Sequence, residues 1–326
     1  MDFNRVLLTG GAGFIGSFIL KKLIDDGKEV VMVDDLSRGN IENIDAKHSE
    51  YDFLKLDLTD NVSIDRLKSK LTIFQPELVI HYGAVNGTLH FYDHPLRTSY
   101  VNSYGTYNLL EAISSSCVDS VKKIVFASTS EVYGEPSEIP TTESALTYAR
   151  IDEDRDSYSV AKQMSEFYVK LWAQKNRVPY NILRIFNVYG PKMVSSKYGQ
   201  VVPELIARSL SGEYPLEVIG GGKQTRSFCF IDDHVNKVFA IINESQLENE
   251  IINVGNDQEI SIAILAKRIQ YLLGLAPNIV AIEDRKGDIN RRCPSIEKFK
   301  KYNPEFDFTT LDVGLSKTID YYKAIL

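Results

Sequence analysis

Tyr158 and Lys162, in Tyr158-Ser159-Val160-Ala161-Lys162, stand one helical turn apart in an apolar-periodic stretch running from Tyr158 to Lys175. An ammonium at that spacing favours a phenolate by charge proximity, so the phenol can act as a general base near neutral pH. The pair says little alone, since Y-x-x-x-K recurs in helices by chance. Upstream, Phe126-Ala127-Ser128-Thr129-Ser130-Glu131-Val132-Tyr133-Gly134 reads as a strand ending in hydroxyls and a carboxylate. In a parallel sheet, ligands gather at such strand ends.

A third group lies near the start of the chain. Thr9-Gly10-Gly11-Ala12-Gly13-Phe14-Ile15-Gly16 follows a β-branched run and opens a helical one. It reads as Gly11-x-Gly13-x-x-Gly16, or in the looser spacing Gly10-x-x-Gly13-x-x-Gly16. Both patterns give a tight turn and a backbone that a pyrophosphate can approach at a helix N-terminus, with Phe14 and Ile15 opening the helix. Asp34 ends the next apolar run, where a carboxylate accepts from the adenosine ribose hydroxyls and repels a 2′-phosphate. The expected cofactor is therefore NAD rather than NADP. Asp57, in Leu56-Asp57-Leu58, stands either to reach the adenine amine, with Leu58 beside it, or to cap its own strand end.

These groups need elements to position them. Arg5–Thr9, Glu29–Val33, Tyr51–Leu56, Leu78–Tyr82, Lys123–Ser128 and Tyr180–Phe186 read as strands. Phe14–Asp26, Ser63–Lys70, Val101–Ser114 and Tyr158–Lys175 read as helices between them. Near-continuous apolar strands alternating with helices imply a doubly wound parallel sheet covered on both faces, an α/β Rossmann fold. The rhythm breaks after about Asn187. The expected division is a dinucleotide-binding domain over residues 1–187 and a smaller mixed α/β substrate domain over 188–326. Segments near 232–255 are positioned to return to the first domain.

The composition of the 326-residue chain is that of an ordinary globular protein, and its net charge of -7 argues against a general nucleic-acid or membrane-surface binder. The 3 cysteines are widely spaced and suggest neither a disulfide framework nor a zinc site. His90 and His94 lack a companion acid–His motif, so no metal is expected. No apolar run is long enough to span a membrane, and four glycines with Asp2 argue against a signal peptide, so the expected address is cytoplasmic.

Together, the glycine turn, Ser128-Thr129-Ser130-Glu131-Val132-Tyr133-Gly134, the Tyr158/Lys162 pair and Arg184-Ile185-Phe186-Asn187-Val188-Tyr189-Gly190-Pro191 resemble the extended short-chain dehydrogenases, and within them the nucleotide-sugar epimerase/dehydratase branch. The resemblance runs from about Arg5 to Asp312. It implies that Thr129 bonds the sugar's 4-hydroxyl, Tyr158 removes its proton, Lys162 supports Tyr158 and holds the nicotinamide ribose, and NAD takes the C4 hydride to leave a 4-keto sugar. It also implies that Asn187, Arg226 and Arg292 contact the substrate's diphosphate or ribose, with Val201 in the substrate-binding stretch Gly199-Gln200-Val201-Val202-Pro203. His81-Tyr82-Gly83-Ala84 resembles a cofactor-side strand end.

A 4-keto sugar can be epimerised, dehydrated, decarboxylated or released. Ser130 and Glu131 discriminate, because the resemblance implies that simple 4-epimerases lack an acid at Glu131. Gly199-Gln200-Val201-Val202-Pro203, Gly222-Lys223-Gln224-Thr225-Arg226-Ser227-Phe228, the long spacing from Glu131 to Tyr158 and Arg155 resemble UDP-glucuronate decarboxylases, which the resemblance therefore favours. The alternatives are a 4,6-dehydratase, a 4-epimerase or a net C4 dehydrogenase and, remotely, a non-catalytic NAD-binding regulator. The loop Asn86–Tyr92, expected near the sugar, departs from that subgroup. Val160, Met164, Phe167 and Leu171 form one apolar face of the Tyr158 helix, and Ala161, Tyr168, Val169 and Trp172 another. A helix buried on both sides is expected, with a homodimer across one of them.

Overall fold

The computed structural model describes residues 3–45, 47–194, 200–283 and 289–326. Gly199 of the substrate-binding stretch therefore lies outside the described residues. The elements of the first half alternate as expected: β1 (Arg5–Thr9), α1 (Phe14–Asp25), β2 (Glu29–Asp34), β3 (Asp52–Lys55), α2 (Asn61–Phe74), β4 (Leu78–His81), α3 (Thr88–Asp93), α4 (Pro95–Ser116), β5 (Lys123–Thr129), α5 (Ser157–Asn176) and β6 (Tyr180–Ile185). Local chemistry marks several ends. Asp60 caps α2 by accepting from Ser63 N at 2.8 Å, and Pro95 opens α4, where its missing N–H costs nothing.

Then come β7 (Val188–Tyr189), α6 (Val201–Leu210), β8 (Leu216–Ile219), β9 (Thr225–Ser227), β10 (Cys229–Phe230), α7 (Ile231–Asn243), β11 (Glu250–Val254), β12 (Glu259–Ser261), α8 (Ile262–Leu272), β13 (Ile279–Ile282), β14 (Arg291–Arg292), α9 (Glu297–Lys300) and α10 (Leu311–Ile325). Among the described residues seven strands form one sheet in the order β11-β6-β5-β4-β1-β2-β3. β1 pairs in parallel with β2 and β4, β2 with β3, and β4 with β5. The order reverses at β1/β4, the switch point at which open α/β sheets bind ligands.

Alternation along the strands explains why both faces are covered. Leu7, Val31, Val79, Ile124 and Ile182 share one core cluster with Leu67 and Leu71 of α2, Leu109 and Ile113 of α4, and Val169 and Trp172 of α5. Their neighbours Val6, Leu8, Val30, Ile80 and Val125 point to the other face and are also buried. A strand buried on both faces cannot show polar alternation, hence the continuous apolar runs. Helix α5 presents two different apolar faces. Ala161, Val169 and Trp172 are buried, but Val160, Met164, Phe167 and Leu171 are exposed, so the single chain covers only one side.

The chain divides into two compact units with interleaved segments. Unit 1 comprises residues 1–132, 149–184 and 237–252; unit 2 comprises 133–148, 185–236 and 253–326. In unit 2, β8 pairs with β13 and β9 lies between β12 and β14, with Leu205, Ile206, Leu265, Ile269, Leu315 and Ile319 buried from α6, α8 and α10. Among the described residues no helix is long and apolar enough to cross a membrane.

Candidate active site

The glycine turn leaves β1 under a tight steric constraint. Gly10 has φ +73°, and a Cβ there would lie 2.7 Å from the carbonyl carbon of Tyr82. A Cβ on Gly16 would collide with the Gly10 carbonyl oxygen. The turn therefore exists only with bare backbone, and it ends where α1 presents its first free N–H groups. Beside it opens a cleft lined by Thr9, Gly10, Gly13, Asp34, Arg38, Asp57, Leu58, His81 and Gly83, among others. Phe14, Ile15 and Gly16 form the start of α1 at the end of this turn.

Asp34 is fixed at the cleft wall. Its Oδ2 accepts from Ala12 N at 3.0 Å and its Oδ1 from Leu36 N at 2.9 Å. Burial raises its pKa, and these two bonds oppose the rise. Asp57 Oδ1 accepts from Thr59 N at 2.8 Å and from Thr59 Oγ1 at 2.7 Å, so it caps its own turn while lining the cleft. Arg38, four residues past Asp34, was not singled out from the sequence. Only the return of the chain after β2 brings it to the cleft, and nothing in its spacing announces that.

A buried polar chain sets the end of β4. Thr106 Oγ1 donates to Asn102 O at 3.1 Å, so it accepts from His81 Nε2 at 3.0 Å. Nδ1 of His81 then accepts from Thr9 Oγ1 at 2.6 Å, and Thr9 Oγ1 in turn accepts from Gly83 N at 3.1 Å. Burial pushes the His81 pKa down to about 3, which keeps this arrangement neutral.

Thr129, Ser130 and Glu131 follow at the end of β5, with Thr129 and Ser130 buried. Glu131 N donates to Thr129 Oγ1 at 3.2 Å. Tyr158, second residue of α5, is 5% exposed and has Thr129 as its hydrogen-bonding neighbour. Its electrostatics differ from the expectation. Burial, and secondarily the charge of Glu131, raises the phenol pKa well above its ordinary value, and only the Thr129 bond opposes this. Lys162 does not reach the phenol oxygen. Its Nζ donates to Ala127 O at 2.9 Å and lies 6.0 Å from the Tyr158 ring centroid. Burial lowers the Lys162 pKa to about 7, against the pull of Glu166. Desolvation outweighs charge proximity because both groups are enclosed.

Beneath this pair Glu166 is held by Arg184 and Ser128. Arg184 Nη2 donates to its Oε2 at 2.8 Å, Arg184 Nε to its Oε1 at 3.0 Å and Ser128 Oγ to its Oε1 at 2.5 Å. Arg155 pairs with Glu131 at 3.5 Å, holding that carboxylate beside Tyr158.

The other residues expected on the substrate side belong to unit 2. Arg226 and Arg292 occupy paired positions on β9 and β14, which brings two guanidiniums onto adjacent strands. Arg226 Nη1 donates to Thr225 O at 2.8 Å, and Arg292 is buried. Asn187, at φ +32°, donates from Nδ2 to Ser227 O at 3.0 Å. Val201 begins α6.

The glycine cradle, the carboxylate at the end of β2 and the helix N-terminus fit the adenosine and pyrophosphate of NAD. The model of the family described as "NAD dependent epimerase/dehydratase family" matches residues 6–255. The chain is 31% identical to UDP-glucuronic acid decarboxylase 1 of Xenopus tropicalis, over 99% of this chain and 73% of that protein. It is 31% identical to UDP-N-acetyl-alpha-D-glucosaminuronate decarboxylase of Bacillus cytotoxicus, over 99% of this chain and 98% of that protein. The UDP-glucose 4-epimerase of Thermus thermophilus, solved in complex with NAD, superposes with a TM-score of 0.85 at 27% identity, over 99% of this chain and 100% of that one.

Proposed function

The chain belongs to the NAD dependent epimerase/dehydratase family, and from that premise we propose that it oxidises C4 of a nucleotide-diphosphate sugar and then decarboxylates it, as a UDP-glucuronate decarboxylase does. Bound in the cleft of unit 1, NAD supplies the hydride acceptor for that alcohol. Tyr158 takes the hydroxyl proton, Thr129 holds the phenol oxygen, and the ammonium of Lys162 stabilises the resulting negative charge. Thr129 and Ser130 offer hydroxyls to the sugar. Arg226 and Arg292 are suited to a diphosphate, with Asn187 and Val201 at the substrate's nucleotide side. The division of labour is dinucleotide binding in unit 1 and nucleotide-sugar binding in unit 2.

The observation that carries the reading is Glu131 beside Tyr158, held by Arg155. A ketone at C4 makes a C6 carboxylate a β-keto acid, whose loss of carbon dioxide leaves an enolate that must be protonated. A carboxyl group near C5 suits that step. The same carboxylate suits proton removal from C5, so 4,6-dehydration is the second reading. The purified protein is mixed with UDP-glucuronate, UDP-glucose, UDP-N-acetylglucosamine and GDP-linked sugars, and product masses are read. Loss of carbon dioxide supports decarboxylation and loss of water supports dehydration. An unchanged mass with an inverted centre, or loss of two hydrogens with NADH formed, supports epimerisation or dehydrogenase action. Tyr158→Phe should bind NAD normally and lose about 10²–10⁴-fold in kcat. Unchanged turnover in that variant would refute the mechanism.

Val160, Met164, Phe167 and Leu171, all exposed on α5, form an apolar face suited to a second copy of the chain. A homodimer follows, and a light-scattering mass of one chain contradicts it. The free buried thiols Cys117, Cys229 and Cys293 suit the reducing cytoplasm.

A further inference from the structure

Helix α3 brings to Tyr158 a side chain that the chemistry above does not use. The ring of Phe91, 4% exposed, lies almost parallel to that of Tyr158, with centroids 4.8 Å apart and planes 17° apart. The other groups around the phenol act on its oxygen or its charge. Thr129 bonds the oxygen, Glu131, paired with Arg155, adds negative charge, and Lys162 stands 6.0 Å from the ring centroid. A bond to the oxygen leaves the ring free to tilt about it, whereas a face-on aromatic contact fixes the plane. Tyr158 lies in the first turn of α5, where its own helix restrains it least.

The segment that carries Phe91 is itself tied down. It leaves Gly87 at φ +128°, and Gly87 O accepts from His90 N at 2.9 Å. Thr98 Oγ1 donates to His90 O at 3.0 Å. Arg38 Nη1 donates to His90 Nε2 at 2.9 Å; a guanidinium can only donate, so that imidazole is neutral with Nε2 as acceptor. Since Arg38 also lines the dinucleotide cleft, α3 spans from the cleft wall to the base. A Cβ on Gly87 would stand 3.1 Å from Arg38 Nη2, so the tether itself crowds the position where the segment begins.

We propose that Phe91 is a positioning residue for Tyr158: α3, tethered by His90 to Arg38, holds the phenol's plane and closes one of its faces to water. The proposal rests on Tyr158 being the base. Phe91→Leu keeps apolar bulk but removes the flat face, and Phe91→Tyr restores it. The Leu variant should lose about tenfold to a hundredfold in kcat, as a misplaced base does, with KM within about threefold. The Tyr variant should recover to within about threefold of the parent, and His90→Leu should move kcat in the same direction as Phe91→Leu by less.

A second readout needs no substrate. In protein labelled with isotopic tyrosine, the NMR resonance lost in Tyr158→Phe belongs to Tyr158, and its titration can be followed. Water admitted by Phe91→Leu stabilises the phenolate, so Tyr158 should titrate at lower pH than in the parent, while calorimetric NAD affinity stays unchanged. Unmoved titration with unmoved kcat in folded Phe91→Leu protein would make Phe91 ordinary core and overturn the proposal. If Tyr158→Phe turns over normally, it is the assignment of the base that fails, and the titration still reports whether Phe91 governs the phenol.

Discussion

At the β1–α1 turn the proposed binding surface is backbone, while around Tyr158 it is side chains gathered from β5, β6, α3, α5 and the turn before α5. The first surface is specified by what is missing: Gly10 and Gly16 have no Cβ, and Asp34 reaches only backbone N–H groups. The second is specified by what is packed: Phe91, Thr129, Glu131 and the buried Glu166–Arg184 pair. A backbone surface tolerates no added atom. A packed one responds to charge and dielectric, and there burial moves the phenol up and the ammonium down from their ordinary pKa values.

Three substitutions test that contrast, in falling order of effect. Glu166→Gln leaves the Arg184 guanidinium buried without its counter-charge, and breaking such a pair costs about 3–5 kcal/mol. Urea unfolding should register that loss, and the Lys162 pKa should drop further once Glu166 no longer favours the ammonium. A loss under about 1 kcal/mol would mean the packed side is not organised by this pair. Gly16→Ala forces a methyl group into the Gly10 carbonyl, and overpacking of this kind costs about 1–3 kcal/mol. Its main readout is calorimetric NAD affinity, expected to fall by at least about tenfold while the titration of Tyr158 stays put. A shift of both would show the two surfaces to be one.

The smallest effect lies at the opposite end of the strands. Glu77 accepts from Lys122 Nζ at 2.6 Å and from Asn4 N at 2.7 Å, and these bonds hold its carboxyl down to about 2. Its folded pKa lies below its unfolded value, so the stability it contributes is present above about pH 4.5 and is lost as pH falls toward about 2. Acid titration of stability should be shallower over that window in Glu77→Gln, with NAD affinity at neutral pH unchanged. An unaltered acid profile would mean that the contact contributes nothing.

Much of the cofactor side was legible in the chain alone. Glycine spacing after an apolar strand, and an acid at the end of the next strand, are constraints written between near neighbours. The strand–helix rhythm was legible for the same reason, because alternation along β1, β2, β4 and β5 buries both faces and leaves continuous apolar runs. The pKa of Tyr158 stands above its ordinary value, against the expectation, because burial outweighs charge proximity and spacing encodes distance along a helix but not burial. One apolar face of α5 is expected to meet this chain and the other a second copy, and the single chain does leave Val160, Met164, Phe167 and Leu171 in the open. Periodicity identifies an apolar face and cannot say what covers it.

The sequence by itself determined the fold class, the place of the glycine turn between β1 and α1 and the one-turn spacing of Tyr158 and Lys162, because each depends on residues a few positions apart whose geometry the backbone dictates. Only the tertiary structure decided that Arg38 and His90 bind one another, that Phe91 lies on the ring of Tyr158 and that Arg184 pairs with Glu166. Those partners are far apart in the chain. What brings them together is the packing of α3 and α5 at the strand ends, where enclosure rather than sequence distance sets which charges feel one another.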